Sequence, residues 1–169
     1  MKSEPVTTAV VQYCTFGELS GLEQALVSKA RAATLLSHSP YSHYCVGCAV
    51  ALNDDSIIHG ANQENASYGL ACCAERTTIF SVNNLGRKRD IRTIAVTARP
   101  EDASSDYVGT SPVAPCGACR QVIKESEDLA GVQLTILMDC YDNDRIARVV
   151  GIESLLPFAF GPADLGIVL

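Results

Sequence analysis

Two short stretches could do chemistry together: Cys73-Ala74-Glu75 near the middle of the chain, and Pro115-Cys116-Gly117-Ala118-Cys119 further on. Three thiols can hold a zinc ion and leave its fourth position open, which is the arrangement of a catalytic rather than a structural site. Glu75 is then the proton carrier beside a water-activating metal. Cys73 and Glu75 are two residues apart, which on a helix sets them about 200° apart around the axis. They can converge only on something beyond the helix end. Cys116 and Cys119 are three apart and share one face, and Pro115 favours an extended entry into a second helix start. The spacing therefore predicts two helix N-termini meeting at one metal, where both dipoles favour thiolate. Arg76 is placed to hydrogen-bond the sulfurs from outside the ligand set.

Two other uses of these thiols stay open. Cys116 and Cys119 at a helix start would also suit a redox pair, and Cys72 is the nearest candidate to close a four-ligand structural site. His38, His43 and His59 are scattered and read as turn or surface residues. Cys14, Cys45, Cys48, Cys72 and Cys140 read most simply as small packing residues.

The elements that must position these groups follow from periodicity. Ser20 with Glu23 forms a capping-box pattern, and Leu22, Ala25, Leu26, Ala30, Ala33 and Leu36 then recur at helical spacing until Pro40. Cys45 to Leu52 is a continuous apolar run containing Gly47 and reads as a buried strand. Asn53-Asp54-Asp55-Ser56 turns it back into a second arm, Ile57 to Ala61. Asn62 to Leu70 is a loop. A helix is predicted over 73–83, with Ile79, Phe80 and Val82 on its buried face. Strands are expected over 91–98, 132–138 and 146–150, a helix over 116–125, and a short helix over 152–156 stopped by Pro157. Thr7 to Phe16 could pair as an edge strand. Arg99 to Pro115 is a long connection, of the kind that is usually functional or mobile. Strands flanked by helices and opened by a hairpin give an α/β fold: a three-layer α/β/α sandwich with a mixed, roughly five-stranded central sheet.

Length and charge narrow the function. The chain has 169 residues, 47% of them hydrophobic, which is enough for one domain with a sizeable core. The reading divides it into an N-terminal extension of unknown role, residues 1–19, and one zinc-dependent catalytic domain, residues 20–169. A formal charge of −6 with no broad basic cluster argues against nucleic acid as a partner. The short run Arg87-Lys88-Arg89 reads as a solvated turn. No stretch approaches a membrane span, and the N-terminus reads as neither a signal nor a transit peptide, so a reducing, cytoplasmic setting is expected.

The residues at this point resemble a known family. Asn62-Gln63-Glu64-Asn65-Ala66-Ser67-Tyr68, Cys73-Ala74-Glu75-Arg76, Pro115-Cys116-Gly117-Ala118-Cys119-Arg120-Gln121-Val122, and Leu155-Leu156-Pro157 with Phe160 look like the small, homotetrameric, three-cysteine cytidine deaminases. The resemblance implies one Zn2+ per chain on Cys73, Cys116 and Cys119. It also implies that Glu75 moves protons between water, N3 of cytosine and the departing amine. Asn62 and Glu64 would hold the ribose, with turn capping as their plainer use. The Ala74 N–H and the Ala114 C=O would grip the base edge, and Tyr44 and Tyr68 would complete the substrate contacts. Phe160 would reach a neighbouring subunit's site and stack on the base. Tyr44 stands where the family usually has Phe, and the 99–115 loop is longer than usual.

The expected activity is hydrolytic deamination of cytidine and 2′-deoxycytidine to uridine and 2′-deoxyuridine with release of ammonia, a step of pyrimidine salvage. The alternatives are deamination of another aminopyrimidine, either a nucleoside antibiotic or a polynucleotide cytosine, and a non-catalytic zinc-stabilised binding protein.

Overall fold

Ser20 starts the first helix through a reciprocal cap: its hydroxyl accepts the Glu23 N–H at 3.3 Å, and the Glu23 carboxylate accepts the Ser20 N–H at 3.0 Å. That helix, α1 (Gly21–Ala33), is one of nine regular elements in the computed structural model, which describes residues 10–104 and 106–168. In chain order they are β1 (Gln12–Cys14), α1, β2 (Tyr44–Leu52), β3 (Ile57–Ala61), α2 (Ala74–Asn84), β4 (Ile91–Pro100), α3 (Gly117–Ala130), β5 (Thr135–Asp139) and β6 (Ile146–Val150). Residues 1–9 of the N-terminal extension lie outside the described residues.

The sheet has six strands in the order β1-β6-β5-β4-β2-β3, and only β4 and β5 run parallel. It is one strand larger than the roughly five expected, because Gln12–Cys14, inside the 7–16 stretch read as a possible edge strand, pairs with β6 and extends the edge. Three residues carry too little periodicity to announce a strand; the partner, far away in sequence, decides. The β4–β5 connection runs through α3, as a parallel pair requires.

Helices cover both faces. Ala49 and Ala51 of β2 and Ala95 of β4 pack with Leu26, Val27 and Ala30 of α1. Cys48, Val50 and Leu52 of β2, with Ile94 and Val96 of β4, pack with Ile79 and Val82 of α2 and Ile123 of α3. This alternation is the period-two signature of strands buried on both sides.

Alanines on the α1 face let the helix come close, and Gly47 lets it come closest. A Cβ at position 47 would lie 2.0 Å from the Ala30 carbonyl oxygen and 2.9 Å from the Thr34 backbone nitrogen. Since backbone, not a side-chain tip, must yield, Gly47→Ala is expected to cost about 2–3 kcal/mol. A urea melt would read this as a lower midpoint at unchanged slope.

Beside this contact, α1 is tied to the sheet by charge. Asp139, fully buried at the end of β5, accepts from Arg31 Nε and Nη2, both at 2.8 Å, and from Thr97 Oγ1 at 2.7 Å. A bidentate guanidinium plus a hydroxyl satisfies the carboxylate that burial would otherwise penalise.

Several boundaries differ from expectation. The first helix ends at Ala33 and tightens into a 3-10 turn at Thr34–Leu36, well before Pro40. The third runs on to Ala130, where Gly131 at φ 66° provides the left-handed C-cap. β5 begins at Thr135 rather than 132, and Ile152–Ser154 is a single 3-10 turn. Phe80 is exposed rather than buried, while Ile79 and Val82 are fully buried.

Candidate active site

Cys73 is the N-cap of α2 and Cys116 the N-cap of α3, each with extended backbone and neither using its side chain as a cap. The first-turn N–H groups of both helices are therefore left without a side-chain cap. Cys119 lies three residues beyond its cap, on the side turned inward, and is fully buried. The three sulfurs come together: Cys73 and Cys116 Sγ lie 3.8 Å apart, Cys116 and Cys119 Sγ 3.4 Å apart, and all three lie within 4.8 Å of one another. Three soft donors converging in this way suit zinc, with no fourth His, Cys, Asp or Glu in the cluster among the described residues. Cys72 is not a member.

Local bonds hold each helix start in place. Thr77 Oγ1 donates to the Cys73 carbonyl at 3.2 Å and Thr78 Oγ1 to the Ala74 carbonyl at 2.8 Å, so the two residues that lower helix propensity clamp the first turn. Arg120 does the same for α3: Nε donates to the Pro115 carbonyl and Nη1 to the Leu155 carbonyl, both at 2.8 Å. The sequence offers Arg120 only as a residue next to Cys119; its bond across to residue 155 is invisible there. Arg76 Nη2 donates to the Ala71 carbonyl at 3.0 Å and reaches Cys73 Sγ at 3.9 Å, from outside the sulfur cluster.

Electrostatics favours an ionised Cys73. A hydrogen bond from Cys119 and the Arg76 guanidinium bring Cys73 down to about 5 against the burial that opposes it. Cys119, as the donor in that bond and itself desolvated, is pushed far up. One thiolate sharing a neighbour's proton is the natural precursor of a metal-loaded cluster. Glu75 is 4% exposed, and burial first, then the nearby Cys73 charge, raises its pKa.

A cavity of about 290 Å³ opens on this cluster. Its walls bring Cys73, Glu75 and Cys116 together with a polar group formed by Ser42, Asn62 and Glu64. Tyr44, Val46, Val113 and Ala114 line the sides, with Gln63, Ala71 and Cys72. The 62–64 segment is not a free loop. Gln63 and Cys72 exchange two backbone bonds at 2.8 Å, while His38 N–H donates to the Asn62 carbonyl at 3.0 Å and Glu64 N–H to the His38 carbonyl at 2.8 Å. The Asn62 amide is largely spent on structure: Oδ1 accepts from Ser37 Oγ at 2.6 Å and from the Val46 N–H at 2.8 Å, and Nδ2 donates to the Tyr44 carbonyl at 3.0 Å. Glu64 uses one oxygen to accept the Tyr41 and Ser42 N–H groups at 3.0 and 3.2 Å. Its hydrogen bonding to the Ser42 side draws its pKa down and keeps it ionised.

Three expected substrate contacts lie outside the lining of this cavity. Ala74 is fully buried and absent from the cavity lining. Tyr68 is 75% exposed and stands edge-on to Tyr41 in an adjoining cleft that shares Ser42, Glu64 and Ala71 with the cavity. Phe160 is 57% exposed and lies at a separate surface, where its carbonyl accepts from Gln121 Nε2 at 2.6 Å. Ser42 and Val113, which line the cavity, carry no spacing signal that sequence reading could find.

Comparison with known proteins agrees with this geometry. The family described as "Cytidine and deoxycytidylate deaminase zinc-binding region" matches residues 21–134. A cytidine deaminase of Halalkalibacterium halodurans is 39% identical over 142 residues, covering 84% of this chain and 96% of the relative. One from Sporosarcina psychrophila is 36% identical over 143 residues, covering 84% and 93%. Among solved structures, a cytidine deaminase from Burkholderia pseudomallei superposes with a TM-score of 0.67 at 41% identity, over 80% of this chain and 97% of that one. The Mycobacterium tuberculosis cytidine deaminase superposes at 0.61 with 29% identity, over 82% and 97%. With three thiols gathered at two helix starts and a buried carboxylate beside them, the chain belongs to the cytidine and deoxycytidylate deaminase zinc-binding family.

Proposed function

We propose that the chain hydrolyses cytidine and 2′-deoxycytidine to the uridine products and ammonia, as a step of pyrimidine salvage. The observation that carries this reading is the convergence of Cys73, Cys116 and Cys119 beside buried Glu75 in a cavity that also holds Glu64. Zinc held by the three sulfurs supplies a Lewis acid that lowers the pKa of water. The remaining work falls to the protein. Glu75, whose pKa burial raises, would take a proton from water and pass it to N3 as the oxygen adds to C4, then carry that oxygen's remaining proton to the amine as the C4–N bond breaks and ammonia leaves. The Ala114 carbonyl faces the base edge, and the Tyr44 ring packs against the base. Glu64 accepts from the ribose hydroxyls with its second oxygen, while Asn62 mainly holds the segment in shape.

Two bland uses of the same groups are separated by kinetics. If Glu64 binds ribose in ground and transition states alike, Glu64→Gln raises KM for cytidine about tenfold and leaves kcat within about threefold. Unchanged KM and kcat with a lower melting temperature would assign Glu64 to turn capping instead.

We further propose a cytoplasmic homotetramer in which Phe160 completes a neighbouring subunit's site. Its exposure, with Phe158 81% exposed beside it, supports this reading. No helix among the described residues is long and apolar enough to cross a membrane. The 20–169 span is proposed as the catalytic domain and 1–19 as an extension. The deciding experiment measures zinc content alongside ammonia release from cytidine, deoxycytidine, cytosine and a cytosine-containing oligonucleotide. One zinc per chain with release from the two nucleosides is expected. Release from the oligonucleotide alone would overturn the substrate, and no release at all would leave a zinc-stabilised binding protein.

A further inference from the structure

A second cavity, of about 350 Å³, shares a wall with the first. Tyr44, Val113 and Ala114 line both. Beyond that wall the lining turns polar, with Tyr107, Thr110, Ser111 and Tyr141. Tyr107 and residues 109–114 of the long connection line this chamber, and the segment is fastened in place. Gly109 N–H donates to the Tyr141 carbonyl at 2.6 Å, Asn143 Nδ2 donates to the Gly109 carbonyl at 2.9 Å, and Val113 N–H donates to the Asp139 carbonyl at 3.1 Å. The approach at Gly109 is close enough that a Cβ there would lie 2.9 Å from the Tyr141 nitrogen. The Tyr107 and Tyr141 rings stack at a tilt with centroids 6.1 Å apart.

We infer that this chamber is a specificity site that takes a polar substituent carried on C5 of the pyrimidine. The inference rests on the cytidine-deaminating reading above. Water adds at C4 of the ring, and the addition needs a proton on N3, so Glu75 must face the N3 edge. C5 is the other ring neighbour of C4. Glu75 lines the first cavity but not the chamber. With N3 turned to Glu75, the proposed pose sets the C5 edge toward Val113 and Ala114, which line both cavities. A substituent there points past a small side chain, Ala114, toward the hydroxyls of Tyr107, Ser111 and Thr110. A hydroxymethyl group can both donate to and accept from such a lining, and a bare hydrogen leaves the chamber to water.

The test compares kcat/KM for cytidine, 5-methylcytidine and 5-hydroxymethylcytidine with the zinc-loaded full chain and two variants. Ser111→Phe fills the chamber, and is expected to lower the 5-hydroxymethylcytidine-to-cytidine ratio by about 10–100-fold with cytidine itself within about threefold. Tyr107→Phe removes one hydroxyl at nearly constant volume. It is expected to lower that ratio by about 3–10-fold and to leave the 5-methylcytidine ratio unmoved. Should Ser111→Phe fail to fold, Tyr107→Phe decides alone. Ratios within about twofold of the parent in every folded variant overturn the inference. A parent that releases no ammonia from cytidine is a different result and removes the function on which the inference stands.

Discussion

Glu75→Gln is expected to retain about one zinc per chain and to lose on the order of 10²–10⁴ in kcat for cytidine, the usual weight of a general acid–base group. The side chain is 4% exposed, so no bulk water stands ready to relay protons in its place. Glutamine has the same shape and should sit in the same pocket at the second position of α2, where nothing but proton transfer is removed. Metal analysis and steady-state rates on one preparation separate the possibilities. Turnover near that of the parent would deny Glu75 its role, and loss of zinc would mean that the carboxylate holds the cluster together.

Cys119→Ser should remove the metal as well as the activity. Its sulfur is fully buried, within reach of both others, and a serine hydroxyl neither ionises near neutral pH nor offers a soft donor. Zinc content is expected to fall from about one to near zero per chain and activity to below about 1% of the parent, with a lower melting temperature because bound metal stabilises the folded form by mass action. Cys72→Ser serves as the comparison. It sits next to Cys73 yet outside the cluster, and should keep both metal and activity. Stoichiometric zinc in Cys119→Ser would sink the three-sulfur site.

The starts of the helices were readable in the sequence because caps are local: Ser20 with Glu23, and Cys73 and Cys116 standing just outside their helices, are settled within one turn of chain. The same holds for the β2–β3 hairpin, whose turn residues are contiguous. What escaped depends on distant partners. The sixth strand exists because Gln12 meets Arg148, and the hold on Pro115 runs from Arg120, which also reaches Leu155. Phe80 occupies a helical position next to buried Ile79, but periodicity alone does not fix where the buried stripe ends, and the ring falls outside it. Asn62 and Glu64 were found by motif, while the backbone lattice that holds them was not, since main-chain bonds leave no trace in residue identity.

That lattice has a consequence for how the site tolerates change. Gln63 and Cys72 are joined by paired main-chain bonds, and Asn62 and Glu64 are joined to His38 in the same way. Bonds of this kind are indifferent to the side chains that hang from them. The main-chain bonds at positions 63 and 72 would survive a change of residue there, although the Gln63 side chain adds a bond of its own to the Leu36 carbonyl at 3.2 Å and both side chains line the cavity. The proposed ribose contact and the first metal ligand thus hang from one shared main-chain mount, so the distance between them is set by backbone bonds and not by the identity of the side chains at 63 and 72.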